Sequence, residues 1–385
     1  MAAIIIGMNT PISSFDTLPR DCWLNIDTTQ LADNVRRLQA HIGRPVLVAV
    51  KGNGYGHGYE NAALAFLKGG VKYLGVANLA EGLLLRRAGI TAPVLILGGI
   101  LPHDMAPAAA AGLEFVVFRP DHIAALREIP KTASPVRVHL KIDSGMGRLG
   151  CFPNEAAALA QAITAISGVQ LAGLSTHFAI ASIPGNAHTE GQIDKFEQAI
   201  AALAAVGIRP EIIHACNSSG SLYHPRARFD MVRMGIIAYG VRPSAYEGTT
   251  IPDGVKTALT WHARITSSKI LPKGYKISYG CEYEMPQDGR IGMLQVGYVD
   301  GYRRMPKNVN TVLIDGRECP LRGRINMDQC MVDLGDMPDM TGAEIVLLGK
   351  QGDKEISVYD LAKRWEDNTY NVYSAIATRV PRRVV

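Results

Sequence analysis

No two of the six cysteines lie at CxxC spacing, no apolar run approaches the roughly 18 residues of a membrane span, and no basic block is dense enough to track a phosphate backbone. Each lack excludes a class. Cys22, Cys151, Cys216, Cys281, Cys319 and Cys330 are scattered along the chain, so neither a zinc cluster nor a disulfide framework is expected; most of them read as buried small hydrophobes, and no metal is expected. The net charge of +5 comes from 40 basic against 35 acidic residues spread along the sequence, which argues against a nucleic-acid partner. The opening "MAAIIIGMNT" has too short an apolar core for a secretory signal, and no basic residue precedes Arg20. With no membrane span expected either, the chain reads as cytoplasmic. Apolar residues are plentiful: 47% of 385 residues are hydrophobic and 19% charged, enough to bury the cores of two domains. There is no internal repeat of 20 to 50 residues and no low-complexity linker.

Between residue 46 and about 235, eight short β-rich runs alternate with segments of helical period. The runs are "VLVAV" ending at Val50, "YLGVA" (73–77), "VLIL" (94–97), "EFVVF" (114–118), "VRVHLKI" (136–142), "LAGLSTHF" (171–178), "EIIHA" (211–215) and "FDMVRM" (229–234). Helices are expected near 58–69, 79–88, 121–128, 154–166 and 190–206, and before the first run, where Leu31, Val35, Leu38 and Ile42 share one helical face. Eight βα units predict a (β/α)₈ barrel of the TIM type. A doubly wound sheet satisfies the same alternation, but no GxGxxG follows the first run. From about residue 253 the texture changes to short strands with Gly, Pro and Asp turns, broken by one helix near "SVYDLAKRWE". The expected division is a barrel over 17–252 and a mostly β domain over 253–385, with residues 1–16 packing on the latter.

One segment bears directly on chemistry. "VAVKGNGYGHG" (48–58) sets Lys51 at the end of an apolar strand and before glycines 52, 54, 56 and 58. In a barrel that end faces the active-site mouth. Most lysines at strand ends are solvated charges. A desolvated lysine amine, however, has a lowered pKa and condenses with aldehydes. The glycines let backbone approach a bulky ligand, and Tyr55 offers a hydroxyl to an anion.

The segment resembles the cofactor-lysine motif of alanine racemases, fold-type III enzymes dependent on pyridoxal 5′-phosphate. The resemblance continues in order through "LKIDSGMGRLG", "THFA", "HACNSSGS", "MVRMGIIAYGVRPS", "KISYG", "VGYVDG", "RINMDQCM" and "RVPR". It implies that Lys51 holds the cofactor and acts as one acid/base group. It implies phosphate contacts from Tyr55, Ser218, the backbone around Gly235 and Ile236, and Tyr370, a further cofactor-binding residue in Asn217, and an arginine, Arg233, facing the pyridine nitrogen. His177 would link Arg233 to the second base. Arg148 would lie near the cofactor's phenolic oxygen and the substrate carboxylate, and Lys141 matches a lysine that some members carry as a carbamate. Met327 and Asp328 match a loop whose backbone meets that carboxylate; as residues alone they equally suit a hairpin turn. Tyr279 matches the base on the opposite face, supplied by a second subunit, so the resemblance implies a homodimer acting on a small amino acid. Tyr298 and Tyr370 would narrow the entrance.

The chain departs from the family pattern at Gly52 and Gly54, where alanines are usual, and at Val299 and Tyr302 in "GYVDGY". Two missing methyl groups beside Lys51 predict a looser cofactor seat. The leading expectation is alanine racemisation by two bases. The alternatives are a broader alanine and serine racemase, a fold-type III amino-acid decarboxylase, a non-catalytic cofactor-binding protein, and a cofactor-free Schiff-base aldolase.

Overall fold

After an opening strand, β1 (Cys22–Ile26), each of the eight runs becomes a strand of one parallel sheet: β2 (Val46–Ala49), β3 (Tyr73–Val76), β4 (Val94–Ile96), β5 (Glu114–Val117), β6 (Val136–Lys141), β7 (Val169–Ser175), β8 (Ile212–His214) and β9 (Val232–Met234). The structure, a computed structural model, describes residues 19–130, 134–243, 250–305 and 309–385; the packing expected for residues 1–16 lies outside them. The sheet runs β8-β7-β6-β5-β4-β3-β2-β9. Its two ends are joined by backbone hydrogen bonds, Met231 N–H to Ile213 O at 3.4 Å and Arg233 N–H to Cys216 O at 2.9 Å. This is the expected (β/α)₈ barrel. Leu47, Leu95, Val116 and Met231 fill part of its core.

The helix Thr28–Ile42 buries Leu31, Val35, Leu38 and Ile42, the face read from the sequence. Helices Tyr59–Lys68, Leu79–Arg87, Pro120–Glu128, Ala156–Thr164 and Ala187–Ala205 fall within a few residues of expectation. The helix Pro102–Ala110 was not anticipated. It buries only Met105 and Ala108 and carries Pro107 inside, so its apolar period is too faint to read.

The chain divides into two compact units, Thr28–Ala258 and Met1–Asp27 with Leu259–Val385. The division differs from the expected boundaries because β1 pairs antiparallel with the long strand β10 (Leu259–Leu271), Trp23 opposite His262. A single strand cannot satisfy its edges alone, so its partner decides its unit.

The remaining strands are β11 (Lys276–Ile277), β12 (Tyr283–Glu284), β13 (Gly289–Leu294), β14 (Thr311–Ile314), β15 (Arg317–Arg322), β16 (Cys330–Gly335), β17 (Glu344–Gln351), β18 (Lys354–Ile356) and β19 (Arg382–Val384). Nine strands form one sheet in the order β18-β17-β14-β15-β16-β13-β10-β1-β19, in which only β1 and β19 pair parallel. Tyr302 lies in this unit's core, edge-on to Trp261 at 5.6 Å and Trp365 at 5.4 Å and wholly buried. It is thus a packing residue, and its departure from the family pattern does not bear on substrate choice. Among the described residues no helix is long and apolar enough to cross a membrane.

Candidate active site

Directly after β2 the backbone turns left-handed for several residues. Gly52, Asn53, Gly54 and Tyr55 have φ of 61°, 55°, 60° and 49°. Each such residue with a Cβ costs roughly 1–2 kcal/mol, and glycine avoids this cost. The two glycines therefore suit the turn that carries Lys51. Replacing Gly52 by alanine puts no atom within 4 Å of the new Cβ, so only the backbone conformation is penalised. Gly52→Ala is expected to lower the unfolding free energy by about 1 kcal/mol in urea titration; an unchanged or raised stability would contradict the left-handed turn.

Glu81 ties this turn down. Its Oε1 accepts from Gly52 N–H at 2.9 Å and from Tyr59 Oη at 3.0 Å, and its Oε2 from Ala77 N–H at 2.7 Å. Sequence reading missed Glu81 because it sits on a helix turn like any exposed acid. Tyr55 leans on Tyr239, ring centroids 4.9 Å apart, and Tyr239 donates to Ala49 O at 3.0 Å.

The barrel mouth gathers cations. Lys51 is exposed; partial desolvation lowers its pKa, Arg148 lowers it further, and Glu81 opposes them. Lys141, at the end of β6, is buried, and its pKa falls well below the usual lysine range through burial, then Arg233 and Arg148, with Asp143 partly compensating. Arg148 rides on a loop wrapped around Asp143, whose carboxylate accepts the N–H groups of Gly145, Met146, Gly147 and Arg148 at 2.8–3.1 Å. Burial would raise the Asp143 pKa, but those four bonds prevail and lower it. His177 follows β7. Burial and the fields of Arg233, Lys141, Arg148 and Lys51 hold it well below the usual histidine range, so it is neutral.

Arg233, on β9, is buried and donates to the carbonyls of Thr176 (2.7 Å), His214 (2.8 Å) and Ala215 (2.8 Å), to His214 Nδ1 (2.9 Å) and to His177 Nδ1 (3.3 Å). Burial pulls its pKa down to about 10, which leaves it charged at neutral pH.

A second cluster of donors lies beside it. Gly235 N–H donates to Ser218 Oγ at 2.9 Å. A Cβ at Gly235 would stand 2.6 Å from Tyr55 Oη and 3.8 Å from Ser218 Oγ, so the absent side chain brings two hydroxyls and the start of the turn Ile236–Tyr239 together. Asn217 accepts from Gly220 N–H at 2.9 Å and donates to Phe178 O at 3.3 Å, holding the Ser218 segment in place.

The other five predicted residues lie in the β unit. Tyr279, Tyr298, Met327 and Tyr370 are all exposed, Tyr279 to 71%. One backbone network fixes three of them. Ser278, with φ 66°, donates its Oγ to Arg324 O at 2.6 Å. Tyr298 N–H donates to Asn326 O at 3.1 Å and Val299 N–H to Met327 O at 3.2 Å. Asn326 N–H closes a tight turn on Gln329 O at 2.8 Å, so the Met327–Asp328 loop is a hairpin turn locked to the Tyr298 segment. Asp328 accepts from Arg379 at 2.8 Å, and Arg379 also pairs with the fully buried Asp300 at 3.0 Å. These anchors were missed, although Arg379 opens the "RVPR" string. Tyr370 sits on the helix Thr369–Ser374, capped by Asn368.

Among the described residues no three His, Cys, Asp or Glu side chains group as metal ligands.

Two family models match the chain, "Alanine racemase, N-terminal domain" over residues 26–243 and "Alanine racemase, C-terminal domain" over 258–384. The chain is 42% identical to an alanine racemase of Symbiobacterium thermophilum over 94% of its own length and 97% of the relative's. It resembles the crystal structure of an alanine racemase from Bacillus anthracis with bound L-Ala-P, with TM-score 0.89, 33% identity and 95% of each chain covered. It also resembles a histidine racemase from Leuconostoc mesenteroides, with TM-score 0.90, 25% identity and coverage of 97% of this chain and 100% of that one.

Proposed function

The chain belongs to the alanine racemase family, and from that premise we propose that it interconverts L- and D-alanine with pyridoxal 5′-phosphate held in the barrel mouth. The observation that carries this reading is the meeting of a lysine of lowered pKa with a cradle of two hydroxyls around a side-chain-free Gly235. That donor set fits the cofactor. An aldehyde suits the Lys51 amine, a phosphate suits Tyr55, Ser218 and the backbone at Gly235 and Ile236, and a ring nitrogen suits Arg233, which has donors only. When bound, the cofactor supplies a sink for the electron pair left on the substrate's α-carbon. Arg233 does not readily surrender a proton, so it keeps that sink weak and disfavours side reactions.

Lys51 takes or returns the α-proton on one face. The partner subunit's Tyr279 serves the other, so the active form is a homodimer. Exposure of Tyr279 in the single chain supports this assignment. Arg148 and the Met327–Asp328 loop receive the substrate carboxylate, and His177 carries the influence of Arg233 toward Tyr279. Lys141, whose pKa its burial, Arg233 and Arg148 push well below the usual lysine range, is a better amine for carbon dioxide than a solvated lysine; its carbamate would oppose Arg148 and orient it. The enzyme works in the cytoplasm on a free small amino acid.

Tyr298 and Tyr370 leave room for little beyond a methyl group. In a chiral assay over a panel of L-amino acids, alanine is expected to turn over fastest, with serine slower. A pocket discriminates one methylene by only about 1–3 kcal/mol, so residual serine turnover is expected. The likeness to a histidine racemase puts histidine in the panel. Histidine, lysine or arginine racemised faster than alanine would overturn the substrate assignment.

A further inference from the structure

Arg233 is a buried cation with no carboxylate among its hydrogen-bond partners. A chain of buried groups leads from it to one. His214 Nδ1 meets Arg233 Nη1 at 2.9 Å, His214 Nε2 meets His139 Nδ1 at 2.8 Å, and His139 Nε2 meets Glu114 Oε2 at 2.7 Å. His139 and His214 are wholly buried, and Glu114 is 4% exposed. Glu114 in turn is held by Arg137 Nε at 2.8 Å.

Only one arrangement of protons satisfies every link. Guanidinium has no lone pair, so His214 Nδ1 must accept. A neutral His214 then carries its proton on Nε2 and donates to His139 Nδ1, which leaves His139 Nε2–H to donate to the carboxylate. Reversing the chain would set an N–H of His214 against an N–H of Arg233. The electrostatics agree: burial, then Arg233, hold His214 well below the usual range, and bonds from His139 and Arg137 outweigh burial to keep Glu114 ionised.

The strands are shaped for this chain. The β6–β7 register slips between Val138 and His139, so Val138 opposes Leu171 while His139 opposes Gly173. A Cβ at Gly173 would collide with the His139 ring. A bulge and a glycine thus coincide where His139 needs room to reach His214.

We propose that Glu114 is the remote counter-charge of Arg233, relayed through His139 and His214, whose Nε2–H tautomers leave a lone pair facing the guanidinium. Glu114 and His139 are then positioning residues for the group assigned to the cofactor ring; only that last assignment rests on the racemase reading.

The test uses the holoenzyme labelled with ¹⁵N-histidine. In the native protein both rings are expected to be Nε2–H tautomers, as the bonds from Arg233 through His214 and His139 to Glu114 require. Glu114→Gln keeps the shape and an acceptor but removes the charge. It is expected to shift the His214 Nε2–H resonance upfield, although residue 114 does not touch His214, and to lower kcat about tenfold at unchanged KM, as loss of an outer partner commonly does. Glu211→Gln removes a carboxylate bonded to the same Arg137 at 2.9 Å and is expected to leave the resonance in place. A proton on Nδ1 of either ring, a His214 resonance unmoved by Glu114→Gln, or an equal movement with Glu211→Gln would overturn the relay. Because the tautomers are read without turnover, an inactive protein would defeat the racemase reading and leave the relay to be judged on its own spectrum.

Discussion

Lys51→Ala is expected to fold, to lose the visible absorbance of covalently held cofactor, and to lose alanine racemisation by about 10⁴-fold or more. The size follows from two losses at one atom. The amine is both the covalent attachment point and one of the two proton carriers, and removal of a positioned acid/base group alone costs about 10²–10⁴-fold. Folding is expected to survive because the Lys51 side chain is solvent-reached and takes no part in the bonds that hold its turn, which run from Glu81 to the Gly52 and Ala77 backbone and to the Tyr59 hydroxyl. Borohydride reduction of the native protein followed by peptide mapping should place the adduct on Lys51. An adduct on Lys141, the other lysine of lowered pKa in the barrel mouth, would move the attachment point and refute the assignment.

How much of this was legible in the sequence depended on burial. Parallel strands covered on both faces read as apolar runs, so all eight barrel strands were visible, and the amphipathic helix Thr28–Ile42 showed its face through four residues. The helix Pro102–Ala110 was invisible because alanine buries little and signals no period. The residues of β1 were assigned to the barrel and not to the β unit, since the partner β10 lies more than two hundred residues away. Pairing at that distance leaves no local trace.

The candidate site was signalled in the sequence where one local string carries the proposed role, as at Lys51, Tyr55 and Arg233. It was not legible where the role comes from tertiary placement. Glu114 opens the run "EFVVF", and His139 and His214 lie inside "VRVHLKI" and "EIIHA". A polar group in a fully buried strand must be paired, so these three positions carried a signal. What the runs could not tell is that all three point into one chain. At Gly52 and Gly54 the departure from the family pattern was seen, but only the backbone angles reveal that the turn is left-handed.

Tyr279→Phe is expected to keep bound cofactor while losing racemisation by at least about 10²–10⁴-fold, the usual cost of a missing acid/base group. Racemisation removes a proton from one face of the α-carbon and returns one to the other, and a single anchored amine such as that of Lys51 cannot serve both faces. Tyrosine, with an unperturbed pKa of about 10, is a poor base unless a cationic field favours its ionised form. In this family Arg233 would supply that field through the neutral His177, whose Nδ1 it meets at 3.3 Å. The loss is therefore expected to be lopsided. In deuterium oxide the variant should still exchange the α-proton of the enantiomer served by Lys51 and fail on the other. The strong exposure of Tyr279 adds a test of where it acts. If the partner's Tyr279 completes each site, mixing inactive Tyr279→Phe with inactive Lys51→Ala creates heterodimers with one intact site and restores part of the activity. With subunit exchange demonstrated independently, no recovery would mean that Lys51 and Tyr279 work within one chain, and the shared site would have to be abandoned.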